Sequence, residues 1–302
     1  MMPPAFTLVT SRLSVAIDAP GTAYRGPRFD WTTQVRQVTL DGRLTFLTQE
    51  RDDNQWPEYQ GRGLAGEFGI ETPLGYDTCP VGGQFPKVGV GLLTRSDDKP
   101  YHFFRPYPID PARFTADQAA PSSLRFTADQ PVHRGWGWTL VRTWTAQGTD
   151  LSLETSLTNT GTEVLETEEY LHNFLNLGRG TVGPSWVLTR PGDWDPPTLF
   201  ENVDPEGLLV LQGSQVTWTR TPTTSFFLAD RRHPAPATWT LTDTATGQRV
   251  SERTDFSPDR FHVWGVGHVV SPELYRRVRV APGETQTWTR TWSFSTEADD
   301  GR

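Results

Sequence analysis

Apolar and polar residues alternate along most of this chain with a period of two, which sends successive side chains to opposite faces of a strand. Residues 6–17 (FTLVTSRLSVAI) and 34–47 (QVRQVTLDGRLTFL) show it first, and Asp41-Gly42 within the second predicts a hairpin, because both residue types tolerate positive φ. The alternation returns near residue 100 in YHFFRPYPI, LRFTA and GWGWTLVRTWTA, with Asp110-Pro111 and Asp129-Gln130-Pro131 as breaks. Leu151, Leu153 and Leu157 continue it, Asn159-Thr160-Gly161 interrupts it, and Val164 and Leu165 resume it, the pattern of two antiparallel strands joined by a tight turn. Further strands are expected within 206–219, 224–228, 237–242, 260–270 and 275–295. Turn signals recur about every eight to twelve residues, the spacing of a β-sandwich or barrel. The one helical expectation is a short turn from Asp110 to Asp117. With no internal repeat and no linker, the pattern predicts an all-β antiparallel fold in a single domain over residues 1–302, the polar tail 296–302 being frayed.

Composition narrows the partners. Hydrophobic residues are only 35%, but 12 Trp and 16 Phe supply the apolar area for a sizeable core. A net charge of −8 without a Lys/Arg cluster argues against nucleic acid and against an anionic membrane surface. Cys79 is the single cysteine, which excludes an internal disulfide and a cysteine metal cluster and fits a reducing compartment or an organism that spares cysteine. The opening MMPPAFTLVTSRLSV has no basic region followed by an apolar run, and no run of about 18 apolar residues occurs, so a cytoplasmic location is expected.

Two irregular stretches interrupt the strand pattern. Residues 23–33 (AYRGPRFDWTT) carry Arg25, Arg28, Asp30 and Trp31. Residues 51–100 are rich in Pro, Gly and Asp, yet Trp56, Tyr59, Phe68, Tyr76 and Phe85 favour burial, so ordered loops lining a site are expected there, with Glu67 and Lys87 as the charges of interest. Gly82-Gly83-Gln84-Phe85-Pro86-Lys87 lacks the spacing of a phosphate-binding G-x-x-x-x-G-K-[ST] loop. The strand after Val164 ends in Tyr170-Leu171-His172-Asn173-Phe174-Leu175-Asn176-Leu177-Gly178, a titratable ring among aromatics and carboxamides just after Glu166, Glu168 and Glu169. Chemistry is expected there. His102, His172 and His268 with Glu67 or Glu169 are the candidate metal ligands, but no H-x-H or H-E-x-x-H spacing joins them and no metal is expected. A G-x-S-x-G nucleophile motif is absent from the sequence. Trp31, Trp136, Trp138, Trp194 and Trp264 either fill a sheet interface or stack on sugar faces, and Trp31 and Trp264 flank charged loops.

The run GWGWTLVRTWTAQGTDLSLETSLTNTGTEVLETEEYLHNFLNLG resembles the central strands of galactose mutarotases (aldose 1-epimerases), with Leu171-His172-Asn173-Phe174-Leu175-Asn176-Leu177 close to the family's N-H-x-[YF]-[FL]-N-L motif. Residues 261–284 are similar to the late strand that carries the family's acidic residue and to the Pro-Gly-Glu turn behind it. The resemblance implies a supersandwich of large antiparallel sheets, a sugar site on a concave face, no cofactor, and a small-molecule carbohydrate as partner. It implies His172 as the acid that protonates the ring oxygen and Glu273 as the base that takes the anomeric proton. Arg28, Asp30, Trp31, Glu67, Lys87, His102, Asn176 and Trp264 are the expected substrate-binding residues. Lys87 with Arg28 suits an anionic sugar such as a uronate or sugar phosphate. The family's Asn-Gly-Gly-Arg strand is matched only loosely around Arg28, its second histidine by His102, and its sugar-binding aspartate by Asp193 or Asp195, which implies a divergent branch. The rival is a non-catalytic sugar-binding module of the same fold, and a third reading is a polysaccharide lyase or hydrolase relative. In an enzyme, a carboxylate and a histidine are expected to face each other across a sugar-sized gap.

Overall fold

The alternation folds into two 10-stranded antiparallel sheets packed face to face and a smaller sheet of three strands. The computed structural model describes residues 5–299 except 52, 54, 56, 57, 72, 179, 196–198 and 232–234, and of residue 298 the backbone alone. The first sheet, which carries the site, runs Phe6–Val9, Leu13–Ile17, Val35–Leu40, Leu64–Phe68, Leu165–Asn173, Val269–Val280, Arg260–Val266, Phe226–Asp230 and Glu201–Val203, with Leu44–Thr45 beside Val35–Leu40. The backing sheet runs Leu209–Gln212, Gln215–Trp218, Trp186–Thr189, Thr238–Asp243, Gln248–Thr254, Thr285–Thr296, Asp150–Asn159, Trp136–Gln147, Ser123–His133 and Arg113–Ala120. Gln84–Lys87, Gly91–Thr94 and Ile109–Pro111 make the small sheet. The periodicity translates directly into burial: along Asp150–Asn159, Leu151, Leu153, Thr155, Leu157 and Asn159 are all buried. The core between the sheets draws Leu171, Phe261 and Leu274 from one side and Trp239, Leu241 and Trp292 from the other. Asp41 and Gly42 both take positive φ, as their hairpin requires.

The structure differs from the sequence pattern in three places. The turn at Asn159-Thr160-Gly161 does not close a hairpin; it carries the chain from Asp150–Asn159 in the backing sheet to Leu165–Asn173 in the site sheet. Asn159 directs this crossover, its Nδ2 donating to the Glu163 and Val280 carbonyls at 2.8 and 2.9 Å. A Cβ at Gly161 would fall 2.2 Å from the Gly135 carbonyl, so only glycine passes so close to that strand end. The helical turn expected from Asp110 to Asp117 is instead extended, split between Ile109–Pro111 and Arg113–Ala120, an edge strand that pairs with Ser123–His133. Within 51–100, Leu64–Phe68 is a buried central strand rather than a loop, because a strand covered on both faces shows no alternation. Trp56 lies outside the described residues. Of the polar tail, Thr296 ends a strand and Asp299 is held by Arg12 at 2.8 Å and by the Thr296 amide at 2.9 Å, while residues 300–302 lie outside those described. Among the described residues no helix is long and apolar enough to cross a membrane.

A chain of charges crosses the apolar layer between the sheets. Arg142 Nε reaches Asp30 at 3.2 Å and its Nη1 reaches Glu169 at 3.2 Å; Arg290 bonds Glu169 at 2.6 Å and Glu252 at 3.0 Å. All five are buried. Such a chain persists only if nearly every charge is paired. Burial pushes up the carboxyls at its two ends, Asp30 and Glu252, against the pull of the neighbouring arginines. Burial also opposes the charge on Glu169, but Arg290 and Arg142 together outweigh it and hold that carboxyl low. Glu169 thereby pins Leu165–Asn173 to the backing sheet, and the outward face of that strand is where the site begins.

Candidate active site

Residues two apart on a strand, and residues paired directly across strands, share a face. Glu67 pairs with Tyr170, His262 with Glu273, Ser271 with Trp264, and Trp264 with Phe227. Tyr170 and His172, like Glu273 and Tyr275, are two apart. One face of the site sheet therefore gathers Tyr170, His172, Glu273, Tyr275, His262, Trp264 and Phe227 around a chamber of about 330 Å³.

His172 Nε2 stands 3.3 Å from Glu273 Oε1. The imidazole stacks on Phe174 at 3.9 Å and meets the edges of Trp264 and Phe29 at 5.3 and 6.1 Å. Its Nδ1 is buried without a hydrogen-bond partner among the described residues. Ser271 Oγ donates to Glu273 Oε1 at 3.0 Å, and the Tyr275 hydroxyl to Oε2 at 3.0 Å. Burial, reinforced by the Arg28 charge, holds the His172 imidazole well below its ordinary value, so the ring is neutral. Burial pushes the Glu273 carboxyl up to about 7 in spite of its two hydroxyl donors. Below about pH 7 the titratable proton of the pair therefore resides on Glu273. His262 is likewise neutral, pushed down to about 3 by burial and by Arg260 and Arg231.

Arg28 closes one wall. Its Nε donates to Glu67 at 2.9 Å, Nη1 to Glu50 at 3.2 Å and Nη2 to the Tyr170 hydroxyl at 3.1 Å, while Phe29 and Phe103 flank the guanidinium at 4.4 and 4.5 Å. Glu67 also receives Tyr170 at 2.8 Å and Lys87 Nζ at 3.2 Å. Lys87 is buried behind it, bonded to the Gly69 carbonyl and the Tyr101 hydroxyl at 3.1 Å each.

Of the expected site residues, then, His172, Glu273, Arg28 and Trp264 come together on the chamber, and Glu67 and Lys87 stand behind it as supports. The other four go elsewhere. Asp30 belongs to the inter-sheet charge chain, where Arg142 claims it. Trp31 donates to the Gly26 carbonyl at 3.0 Å and stacks on Phe114. His102 is exposed and stacks on Phe103 at 5.1 Å. Asn176 ties the Gly180 and His268 carbonyls, both at 2.7 Å. Asp193 and Asp195 sit exposed on a turn away from the chamber. Among the described residues no group of three His, Cys, Asp or Glu side chains is placed to hold a metal ion. Tyr170, Ser271, Tyr275, His262, Glu50 and Phe227 join the site without a motif of their own in the sequence. The first three were within reach of the period-two rule, counted outward from His172 and Glu273.

Two large antiparallel sheets packed face to face make the galactose mutarotase-like β-sandwich, and the chain has that fold. It is similar over 98% of its length to 97% of Slr1438 from Synechocystis sp. PCC 6803, at 16% identity and a TM-score of 0.63. A galactose mutarotase-like protein from Lactobacillus casei ATCC 334 matches 96% of the chain with 99% of its own, at 15% identity and a TM-score of 0.58. The GalM/aldose epimerase homologue from C. elegans does so over 96% and 98%, at 12% identity and a TM-score of 0.51. No family model matches the sequence, and comparison with the curated proteins found no match.

Proposed function

We propose that the protein is a mutarotase of the aldose 1-epimerase type that interconverts the anomers of a neutral sugar. The observation that carries this reading is the His172–Glu273 pair, 3.3 Å apart on an aromatic-walled chamber. The reaction transfers protons while one C–O bond breaks and re-forms, with no net change of oxidation state, so an acid and a base suffice. The ring oxygen and the anomeric oxygen are both bonded to C1, so the two groups must meet one edge of the sugar together. The expected sugar-sized gap between them is absent: the two stand side by side at 3.3 Å, a placement that can meet that one edge.

The protonation state inverts the expected roles. Glu273 gives its proton to the ring oxygen while His172 takes the proton of the anomeric hydroxyl, and the C1–ring oxygen bond breaks to give the open aldehyde. Rotation about C1–C2 and closure on the other face return each proton to its donor. The open state leaves an imidazolium beside a carboxylate, and Ser271 and Tyr275 are already aimed at that carboxylate. Lys87 and Arg28 are committed to Glu67 and Glu50, so the expectation of an anionic sugar loses the cations it rested on.

Polarimetry or NMR on freshly dissolved α-anomers tests the reading. The chain accelerates interconversion for at least one sugar, and His172→Ala lowers that rate by about 10²–10⁴, the usual worth of a general acid–base group. No acceleration with any sugar, despite measurable binding, makes the protein a binding module instead.

A further inference from the structure

Beside the catalytic chamber opens a second one of about 650 Å³, and Arg28, Glu50, Phe103, Phe104 and Trp264 line both. Small-molecule sites run from about 300 to 1,000 Å³, so the inner chamber suffices for one sugar ring and the outer one is surplus to it. Its surroundings are those of a ligand surface. Tyr59, Phe104 and Phe200 are the large aromatic side chains left exposed among the described residues, at 53%, 67% and 60%. Tyr59 and Phe104 line the outer chamber, and Phe200 lies 3.7 Å under the guanidinium of Arg231, which lines the inner one. Tyr59 and Phe104 thus present exposed rings to the outer chamber, and flat apolar faces are what a pyranose stacks on. Gln55, an exposed side chain that lines the outer chamber, supplies the polar counterpart, an amide able to hydrogen-bond a sugar hydroxyl.

We propose that the outer chamber is a subsite for a second sugar ring, and that the preferred substrate is a reducing di- or oligosaccharide. The inference rests on the mutarotase reading. Its reducing-end ring occupies the inner chamber with C1 against His172 and Glu273. The C1 of the second ring is bonded through oxygen to a carbon of the reducing-end ring other than its C1, because the reaction requires a free anomeric hydroxyl there, and the second ring stacks on Tyr59 and Phe104 beyond Trp264, which lines both chambers.

The test compares each monosaccharide with disaccharides carrying it at the reducing end, by mutarotation rate on the full chain. At least one disaccharide is expected to show kcat/KM about tenfold above its parent sugar. Tyr59→Ala, and separately Gln55→Ala, should abolish that advantage and leave the monosaccharide rate within about twofold. Neither residue lines the inner chamber, and truncating either is compatible with folding because each is exposed. Parity or a preference for monosaccharides across every linkage overturns the proposal, as does an advantage that survives both substitutions. If no sugar is accelerated, the mutarotase reading fails by itself and binding decides the subsite. Tighter binding of a disaccharide than of its parent, lost in Tyr59→Ala, upholds it; equal affinities overturn it.

Discussion

Burial does more to set the chemistry of His172 and Glu273 than any neighbouring charge. It disfavours the charged form of both, holding the imidazole neutral and raising the carboxyl to about 7. Above that pH Glu273 ionises and the pair has no proton for the ring oxygen. The rate should therefore fall about tenfold per pH unit above about 7 and stay level on the acid side until well below pH 6.5, where the imidazole protonates. A pH–rate profile by polarimetry from about pH 5 to 9 checks this; a rate that climbs through pH 7 would return the base to Glu273 and refute the inverted roles. Tyr275→Phe removes a donor that favours the carboxylate. It should move the alkaline fall to higher pH and cost roughly tenfold in rate through the lost stabilisation of the open state; an unmoved profile would mean that the hydroxyl plays no part. At this scale the sequence was partly legible. His172 and Glu273 stand in recognisable motifs, and Trp264 and Arg28 flank them, whereas Asp30 reads as a loop charge until the fold delivers Arg142 to it from a strand more than a hundred residues away.

The strand Leu165–Asn173 carries both layers of the design. Tyr170 and His172 look outward into the chamber, and Glu169 looks inward to Arg142 and Arg290. Arg290→Met would strip Glu252 of its arginine and leave Glu169 with Arg142 alone, at a cost of about 3–5 kcal/mol, read as a lower urea midpoint. Adding Glu252→Gln should recover part of that loss, because the uncompensated charge goes with it. If the single substitution leaves the midpoint where it was, the charge chain does not fasten the sheets. Most strands were legible because one face is wet and one dry. The exceptions have physical causes: Leu64–Phe68 is buried throughout and shows no alternation, and Asn159-Thr160-Gly161 reads as a hairpin because a turn's residues encode its tightness but not which sheet receives the next strand.

For the whole molecule, the same two groups that serve the chemistry work against the fold, in opposite pH directions. Glu273 binds its proton more tightly folded than unfolded, so its contribution is full below about 4.5 and disappears as pH rises through about 7. His172 is the reverse case: its folded value lies below 6.5, so its contribution is full above 6.5 and is lost as pH falls below it. The two therefore do not share an optimum, and a neutral isostere separates them. Glu273→Gln removes only the alkaline loss while keeping the shape of the chamber. Relative to wild type it should gain stability progressively from about pH 5 to pH 8, by on the order of 3 kcal/mol at the upper end, and be catalytically silent throughout. Urea melts of both proteins at several pH values check this. A stability difference that does not change with pH would mean that Glu273 titrates in the folded protein as it does in water, and the protonated Glu273 on which the proposed reaction depends would not exist.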